Sequence, residues 1–165
     1  MSTVLLTDFD GVIAPFGAVR PSHPRTLVRP GGYLDSAFVT NGLPELLWNL
    51  HAAGRFHWEL LSSWGEETGR YLEPFGVHGL HAHAPGVLRD PLSLRHYKAG
   101  VVAHALAAGE RVVWAEDLEV GGLRAEYPDD AAALLDHERL LVIEPRSDVG
   151  LTLADVRRII RFASR

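Results

Sequence analysis

Short apolar runs alternate with amphipathic helical patterns along most of this chain. Four runs have the character of buried parallel strands, at residues 4–6, 57–61, 111–115 and 140–143. Helical patterns occur at residues 43–54, 93–108, about 129–137 and from 152 onward. Strands that alternate with helices form parallel sheets joined by right-handed crossovers. The pattern therefore predicts an α/β protein with a central parallel sheet covered by helices on both faces.

Composition narrows the class of protein further. The chain of 165 residues fits one domain, and its 47% hydrophobic and 22% charged residues are ordinary globular values. A net charge of −5 gives no overall signature of nucleic-acid binding. The absence of cysteine excludes disulfides, thiolate catalysis and thiolate zinc sites, and it suits a reducing cytoplasm. Since neither a leader nor a membrane-spanning apolar run is visible, we expect a soluble cytoplasmic protein without a membrane partner.

Two segments interrupt the alternation of strands and helices. Residues 14–40 are rich in proline and glycine, which predicts an irregular excursion or hairpin that is too small for a separate domain. Because this insert follows the first strand directly, we expect it to form a small cap over that strand's end. Its basic residues either attract an anionic substrate or are ordinary solvated charges; they are Arg20, His23, Arg25 and Arg29. The second segment, residues 73–91, is predicted to hold one short strand at about residues 77–82.

The first strand ends in the sequence Asp8-Phe9-Asp10-Gly11-Val12. Two carboxylates close to an apolar core repel each other, and a bound cation or a shared proton relieves that repulsion. The alternative is that neither carboxylate has a function: one aspartate forms the turn, and the other ends the strand by chance. We interpret the segment as a metal-binding and catalytic site.

Further polar residues follow the other predicted strands. In an open parallel sheet, ligands bind beyond the carboxyl ends of the strands. The second long strand ends in Ser62-Ser63-Trp64, the third in Glu116-Asp117, and Lys98 lies in the helix between them. A hydroxyl and an ammonium group can stabilise phosphoryl oxygens. Either Ser62 or Ser63 could supply the hydroxyl, although a serine after a strand is often a helix cap. For Lys98 the alternative is an ordinary solvated charge on a helix.

In this order the residues resemble the four motifs of the haloacid dehalogenase superfamily of aspartate-nucleophile phosphohydrolases. The motifs correspond to Asp8-Phe9-Asp10-Gly11-Val12, Ser62, Lys98 and Glu116-Asp117, and they span about two thirds of the chain. The resemblance implies a three-layer, Rossmann-like fold with the first strand at the centre and a minimal cap. It also implies a Mg²⁺-dependent phosphohydrolase or phosphotransferase that acts on a phosphorylated substrate.

The resemblance further implies a role for each residue. Asp8 is the nucleophile that forms an aspartyl phosphate, and Asp10 is the general acid and base. Ser62 and Lys98 stabilise the transferring oxygens. The implied Mg²⁺ ligands are Asp8, the backbone carbonyl of Asp10 and Asp117, with Glu116 as a further candidate. Because a small cap leaves the site open, we expect either that the substrate is large or that a second subunit of a homo-oligomer closes the site.

Other interpretations remain at this point. The chain could keep the same fold for binding or regulation, with weak or absent turnover. A phospho-accepting receiver domain is a third possibility. Such a domain carries its phosphorylated aspartate at the end of a later strand, where this chain has Ser62. Dinucleotide and P-loop motifs do not occur.

We interpret the histidines His78, His81 and His83 as part of a polar loop. The tryptophans are predicted to be core residues, with Trp64 near enough to Ser62 to line a pocket; they are Trp48, Trp58, Trp64 and Trp114.

Overall fold

A computed structural model of the chain describes residues 2–18, 24–30, 36–83 and 91–165. The described chain holds seven strands: β1 (Thr3–Thr7), β2 (Arg25–Val28), β3 (Ala37–Thr40), β4 (His57–Leu61), β5 (Ala82–His83), β6 (Arg111–Ala115) and β7 (Leu140–Ile143). The same residues form six α-helices: α1 (Leu43–Ala52), α2 (Thr68–Leu72), α3 (Pro91–Ala107), α4 (Glu119–Glu126), α5 (Pro128–Leu135) and α6 (Leu153–Ala163). Short 3-10 turns at Gly65–Glu67 and Glu73–Phe75 flank α2.

The centre of the structure is a five-stranded parallel sheet in the order β5-β4-β1-β6-β7. The first strand pairs on one side with β4, where Val4 lies opposite His57, and on the other with β6, where Val4 lies opposite Val112. All five residues of β1 are buried. The predicted central position of the first strand is therefore confirmed.

Alternate residues of β1 pack into two hydrophobic cores on opposite faces of the sheet. Leu5 belongs to one core with Leu47 of α1 and Ile159 of α6. Leu6 belongs to the other core with Val102 of α3. Helices therefore cover the parallel sheet on both faces, as the alternation of strands and helices predicted.

The predicted elements agree best with the structure where the apolar signal is strongest. The three later strands begin and end at the predicted residues. Helix α4 was not predicted, because Gly121 and Gly122 lower its helix propensity. The short strand predicted at about residues 77–82 was misplaced: the strand there is Ala82–His83, and Gly79 with φ +68° turns the chain before it.

The described part of the 14–40 insert contains an antiparallel hairpin, formed by β2 and β3. Val28 and Val39 are buried in the same core as Ile13, so the hairpin shares the packing of the main sheet. Leu27 and Phe38, which lie opposite each other, remain exposed. None of the helices that the structure describes is long and apolar enough to cross a membrane.

The buried Arg25 fastens this hairpin to two loops. Its guanidinium donates to the carbonyls of Pro15 at 3.0 Å and Gly17 at 3.2 Å, and to the carbonyl of Asp148 at 2.7 Å. Arg25 is therefore neither a solvated charge nor an exposed attractant for substrate, because it is buried and its Nη1 and Nη2 atoms donate to backbone carbonyls. Arg29 is exposed, whereas Arg20 and His23 lie outside the described residues.

Candidate active site

Three neighbouring strands present polar residues at one edge of the sheet. Asp8 follows β1, Ser62 follows β4 and Glu116 follows β6. Backbone pairing extends past the strand ends, with Asp8 N donating to Ala115 O at 3.0 Å. The carboxyl ends of these parallel strands therefore bring together side chains that are far apart in the sequence.

Lys98 of α3 lies at the centre of this cluster. It is the only lysine among the 16 basic residues of the chain, and only 1% of its surface is exposed. Its Nζ donates to Asp8 Oδ2 and to Glu116 Oε2, each at 2.6 Å. Burial lowers the pKa of Lys98, but the charges of Asp8 and Glu116 outweigh burial and raise it above its usual value. Lys98 is thus a protonated, buried ion-pair partner and not a solvated charge.

Glu116 has partners for both of its carboxylate oxygens. Oε2 accepts from Lys98, and Oε1 accepts long hydrogen bonds of 3.4 Å from the backbone N–H groups of Leu118 and Glu119. Burial, followed by the charge of Asp8, raises the pKa of Glu116, while the ammonium of Lys98 opposes this shift. Glu116 therefore shares with Asp8 the task of holding Lys98 in place.

Asp117 lies against Gly11 in the turn after β1. A Cβ atom on Gly11 would come within 2.0 Å of Asp117 Oδ2, and Gly11 has φ +68°, so glycine is required there for both space and backbone conformation. Oδ2 is buried and has no hydrogen-bond partner among the residues that the structure describes. Burial and then Asp8 raise the pKa of Asp117, although a hydrogen bond from the Ser147 side chain opposes this.

These carboxylates fit a hard divalent cation. Asp8, Glu116 and Asp117 each offer an oxygen, and the three oxygens lie within 4.8 Å of one another. With Asp10, four carboxyl groups surround one ammonium group, which leaves excess negative charge. Mg²⁺ prefers oxygen ligands, and Asp117 Oδ2, to which no described residue donates, is available for such a bond. The donor set therefore suits Mg²⁺.

Asp10 occupies a separate, half-buried position in the turn after β1. Burial and then the charge of Asp8 raise its pKa to about 6, against an opposing hydrogen bond from the Trp64 side chain. The turn itself is closed by Phe9 O, which accepts from the N–H groups of Ile13 at 2.9 Å and Ala14 at 2.8 Å. A carboxyl group of this kind can give and take protons near neutral pH.

The structure distinguishes the two candidate serines. Ser62 is 2% exposed, and its Oγ accepts from Trp64 N at 3.4 Å, whereas Ser63 is exposed. Trp64 is partly buried, with its ring centroid 6.1 Å from that of Phe9. Asp10 and Ser62 therefore both contact Trp64, while Lys98 joins Asp8 to Glu116.

Sequence reasoning overlooked Ser147, and it placed Trp64 near the pocket without predicting its hydrogen bond to Asp10. Ser147, which bonds Asp117, lies after β7, so extending the sheet-edge rule to the next strand would have found it. The hydrogen bond from Trp64 to Asp10 depends on turn geometry, and only the adjacency of Trp64 to Ser62 hinted at it.

No protein-family model and no curated protein matches this chain.

Proposed function

We propose that this chain is a Mg²⁺-dependent phosphohydrolase or phosphotransferase of the haloacid dehalogenase type, which acts through an aspartyl phosphate on Asp8. The observation that carries the proposal is the buried Lys98, which binds Asp8 and Glu116 at 2.6 Å each. Beside them, Asp117 keeps a buried oxygen without a partner among the described residues. Such an arrangement provides a held carboxylate nucleophile, a fixed positive charge and a free metal ligand at one sheet edge.

In the proposed reaction, an Asp8 carboxylate oxygen attacks phosphorus while the bond from phosphorus to the leaving oxygen breaks. Asp10 gives its proton to that leaving oxygen. In the second step Asp10 takes a proton from water, the water oxygen attacks the phosphorus, and the acyl phosphate bond breaks to release phosphate. An alcohol in place of water makes the same step a phosphotransfer. Lys98 and Ser62 stabilise the charge on the transferring oxygens.

The ligands proposed for Mg²⁺ are Asp8, Asp117 and the backbone carbonyl of Asp10. When bound, Mg²⁺ supplies positive charge that offsets the repulsion between the Asp8 carboxylate and an anionic phosphate. We assign Glu116 the role of holding Lys98, whose Nζ donates to Glu116 Oε2 at 2.6 Å. Removal of Mg²⁺ by a chelator is therefore expected to abolish phosphate release.

The test is Mg²⁺-dependent release of p-nitrophenol from its phosphate ester. We expect Asp8→Asn to lower kcat by about 10³-fold or more, as loss of a nucleophile does. The matched control is Asp136→Asn, which makes the same chemical change at an exposed position. Activity of Asp8→Asn equal to that of the control contradicts the proposal.

Beryllium fluoride separates catalysis from the alternative of a binding or regulatory protein with this fold. A stoichiometric, Mg²⁺-dependent adduct that disappears in Asp8→Asn supports phosphoryl transfer. Absence of both adduct and turnover in the folded wild-type protein contradicts it and favours the binding role.

A further inference from the structure

A second group of metal-ligand residues lies on β4 and β5. His57 and Glu59 alternate along β4, and His81 and His83 alternate at β5. Leu60 pairs with Ala82 and Leu61 with His83, so the parallel register brings Glu59 and His81 to adjacent positions. Because alternate residues of a strand share a face, these four side chains occupy the same face of the sheet.

The four side chains meet at the Glu59 carboxylate. His83 Nε2 lies 2.5 Å from Glu59 Oε2, and His57 Nε2 lies 3.2 Å from Glu59 Oε1. The rings of His81 and His83 are 4.7 Å apart between centroids. Glu59, His81 and His83 each offer one ligand atom, and those three atoms lie within 4.8 Å of one another.

We propose that Glu59, His81 and His83 bind a divalent transition-metal ion of the class that prefers imidazole ligands, with Zn²⁺ as the probe. Two imidazole nitrogens and one carboxylate oxygen form a common protein ligand set for such ions, and water completes the coordination. His57 Nε2 lies 3.2 Å from the second oxygen of Glu59, within reach to support the carboxylate from behind. The exposed His81 gives the ion a path from solvent.

This site differs in chemistry from the candidate active site, which offers only carboxylate oxygens and a carbonyl oxygen. It is also independent of the proposed phosphoryl transfer. The earlier interpretation of the histidines as a polar loop is replaced for His81 and His83, while His78 is exposed and outside the group. Because β5 has two residues and lies at the edge of the sheet, a metal ion there would clip it to β4.

Calorimetric titration with Zn²⁺ in excess Mg²⁺ tests the proposal on the full chain. We expect one saturable Zn²⁺ site in the wild-type protein. His81→Ala removes an exposed ligand with little risk to folding, and it should weaken Zn²⁺ binding by at least about 10-fold. The matched control, His104→Ala, changes an exposed histidine of α3 and should leave binding unchanged.

Two further measurements keep the outcome decisive. Asp117→Asn should retain the Zn²⁺ site, and Zn²⁺ should raise the Tm of the wild-type protein but not that of His81→Ala. His83→Gln, checked for folding by circular dichroism, should also bind Zn²⁺ at least about 10-fold more weakly. Absence of Zn²⁺ binding by the wild-type protein, binding unaffected by His81→Ala, or binding lost in Asp117→Asn alone would each overturn the proposal.

Discussion

The chain's single lysine allows buried carboxylates to coexist in the candidate active site. Lys98 and Glu116 are 1% exposed and Asp8 is 8% exposed, so water screens their charges poorly. Burial of an ion pair gives little net stability, but removal of one partner leaves a buried charge uncompensated. The value of Lys98 to the fold is therefore greatest when its two carboxylate partners are present.

For Lys98→Met we expect the free energy of unfolding to fall by about 3 kcal/mol in chelator-treated protein. The double variant Lys98→Met/Glu116→Gln should lose less than the sum of its single variants, by about 1 kcal/mol, because it removes both members of one ion pair. Urea denaturation of all four proteins measures this coupling. Strict additivity would show that the pair contributes nothing to stability.

Gly11→Ala tests how closely the turn after β1 approaches Asp117. The added methyl group requires the Asp117 carboxylate to move, since the Cβ would lie 2.0 Å from Oδ2. We expect the proposed Mg²⁺-dependent phosphatase activity to fall by about 10²-fold or more, with a stability loss of about 1–2 kcal/mol from the positive φ.

Gly54→Ala is the matched control for that substitution. Gly54 has φ +69°, nearly the same as Gly11, and nothing lies within 4 Å of the position of its Cβ. Its variant should lose comparable stability and keep its activity. Equal activity losses in the two variants would show that the contact with Asp117 is irrelevant.

At the scale of elements, Arg25 decides how the β2–β3 hairpin is held. In Arg25→Met the carbonyls of Pro15, Gly17 and Asp148 lose their donor, so we expect a stability loss of about 1–3 kcal/mol. The rate of amide hydrogen exchange in β2 and β3 should increase more than the rate in β6. The exposed Arg29→Met serves as control. Exchange that changes equally in both variants contradicts the anchoring role.

The junction between α1 and β4 is sensitive to pH through His51. Its Nδ1 accepts the backbone N–H of Trp58 at 3.0 Å, which requires that nitrogen to be unprotonated. Burial and then the nearby His57 lower the pKa of His51 from 6.5, although a hydrogen bond with the Phe56 backbone opposes the shift. The unfolded chain therefore binds a proton at a higher pH than the folded chain does.

It follows that the contribution of His51 to stability falls as pH drops through about 6.5, and that this contribution is fully lost once pH is below the folded pKa. Urea midpoints at about pH 7.5 and 5.5 measure the effect. His51→Gln removes the titrating group, while His57 remains as an internal control, so this variant should lose less stability over the interval. An unchanged pH dependence would assign the effect to other groups.

On the scale of the whole molecule, the proposed Mg²⁺ site links cation binding to the stability of the entire fold. Because the site belongs to the folded state, Mg²⁺ at about 100 times its dissociation constant should stabilise the fold by about 2.7 kcal/mol. Thermal unfolding with MgCl₂, against NaCl at equal ionic strength, measures the shift. Asp117→Asn should reduce it strongly. A shift of the same size in NaCl would indicate screening alone.

The sequence predicts the sheet better than it predicts the contacts within the site. Strands such as β6 are continuous apolar runs, so they can be predicted without knowing which strands lie beside them. The two-residue β5, in contrast, depends on pairing with the edge of β4. The approach of Asp8 to Glu116 follows from parallel strand ends, but the bridge through Lys98 depends on how α3 packs. Likewise, Glu116 contacts Lys98 whereas Asp117 lies against Gly11, and this difference depends on side-chain directions that the sequence spacing does not give.

The central position of β1 has a consequence for the synthesis of the protein. The ribosome makes this strand before either neighbour, and the second neighbour, β6, begins only at residue 111. At elongation rates of about 5–20 residues per second, roughly 5 to 20 s separate the appearance of β1 from that of β6. During this interval one edge of an apolar ribbon that ends in Asp8 lacks its partner. The nascent chain therefore exposes an unpaired apolar strand edge for seconds, and slower translation lengthens this exposure to aggregation.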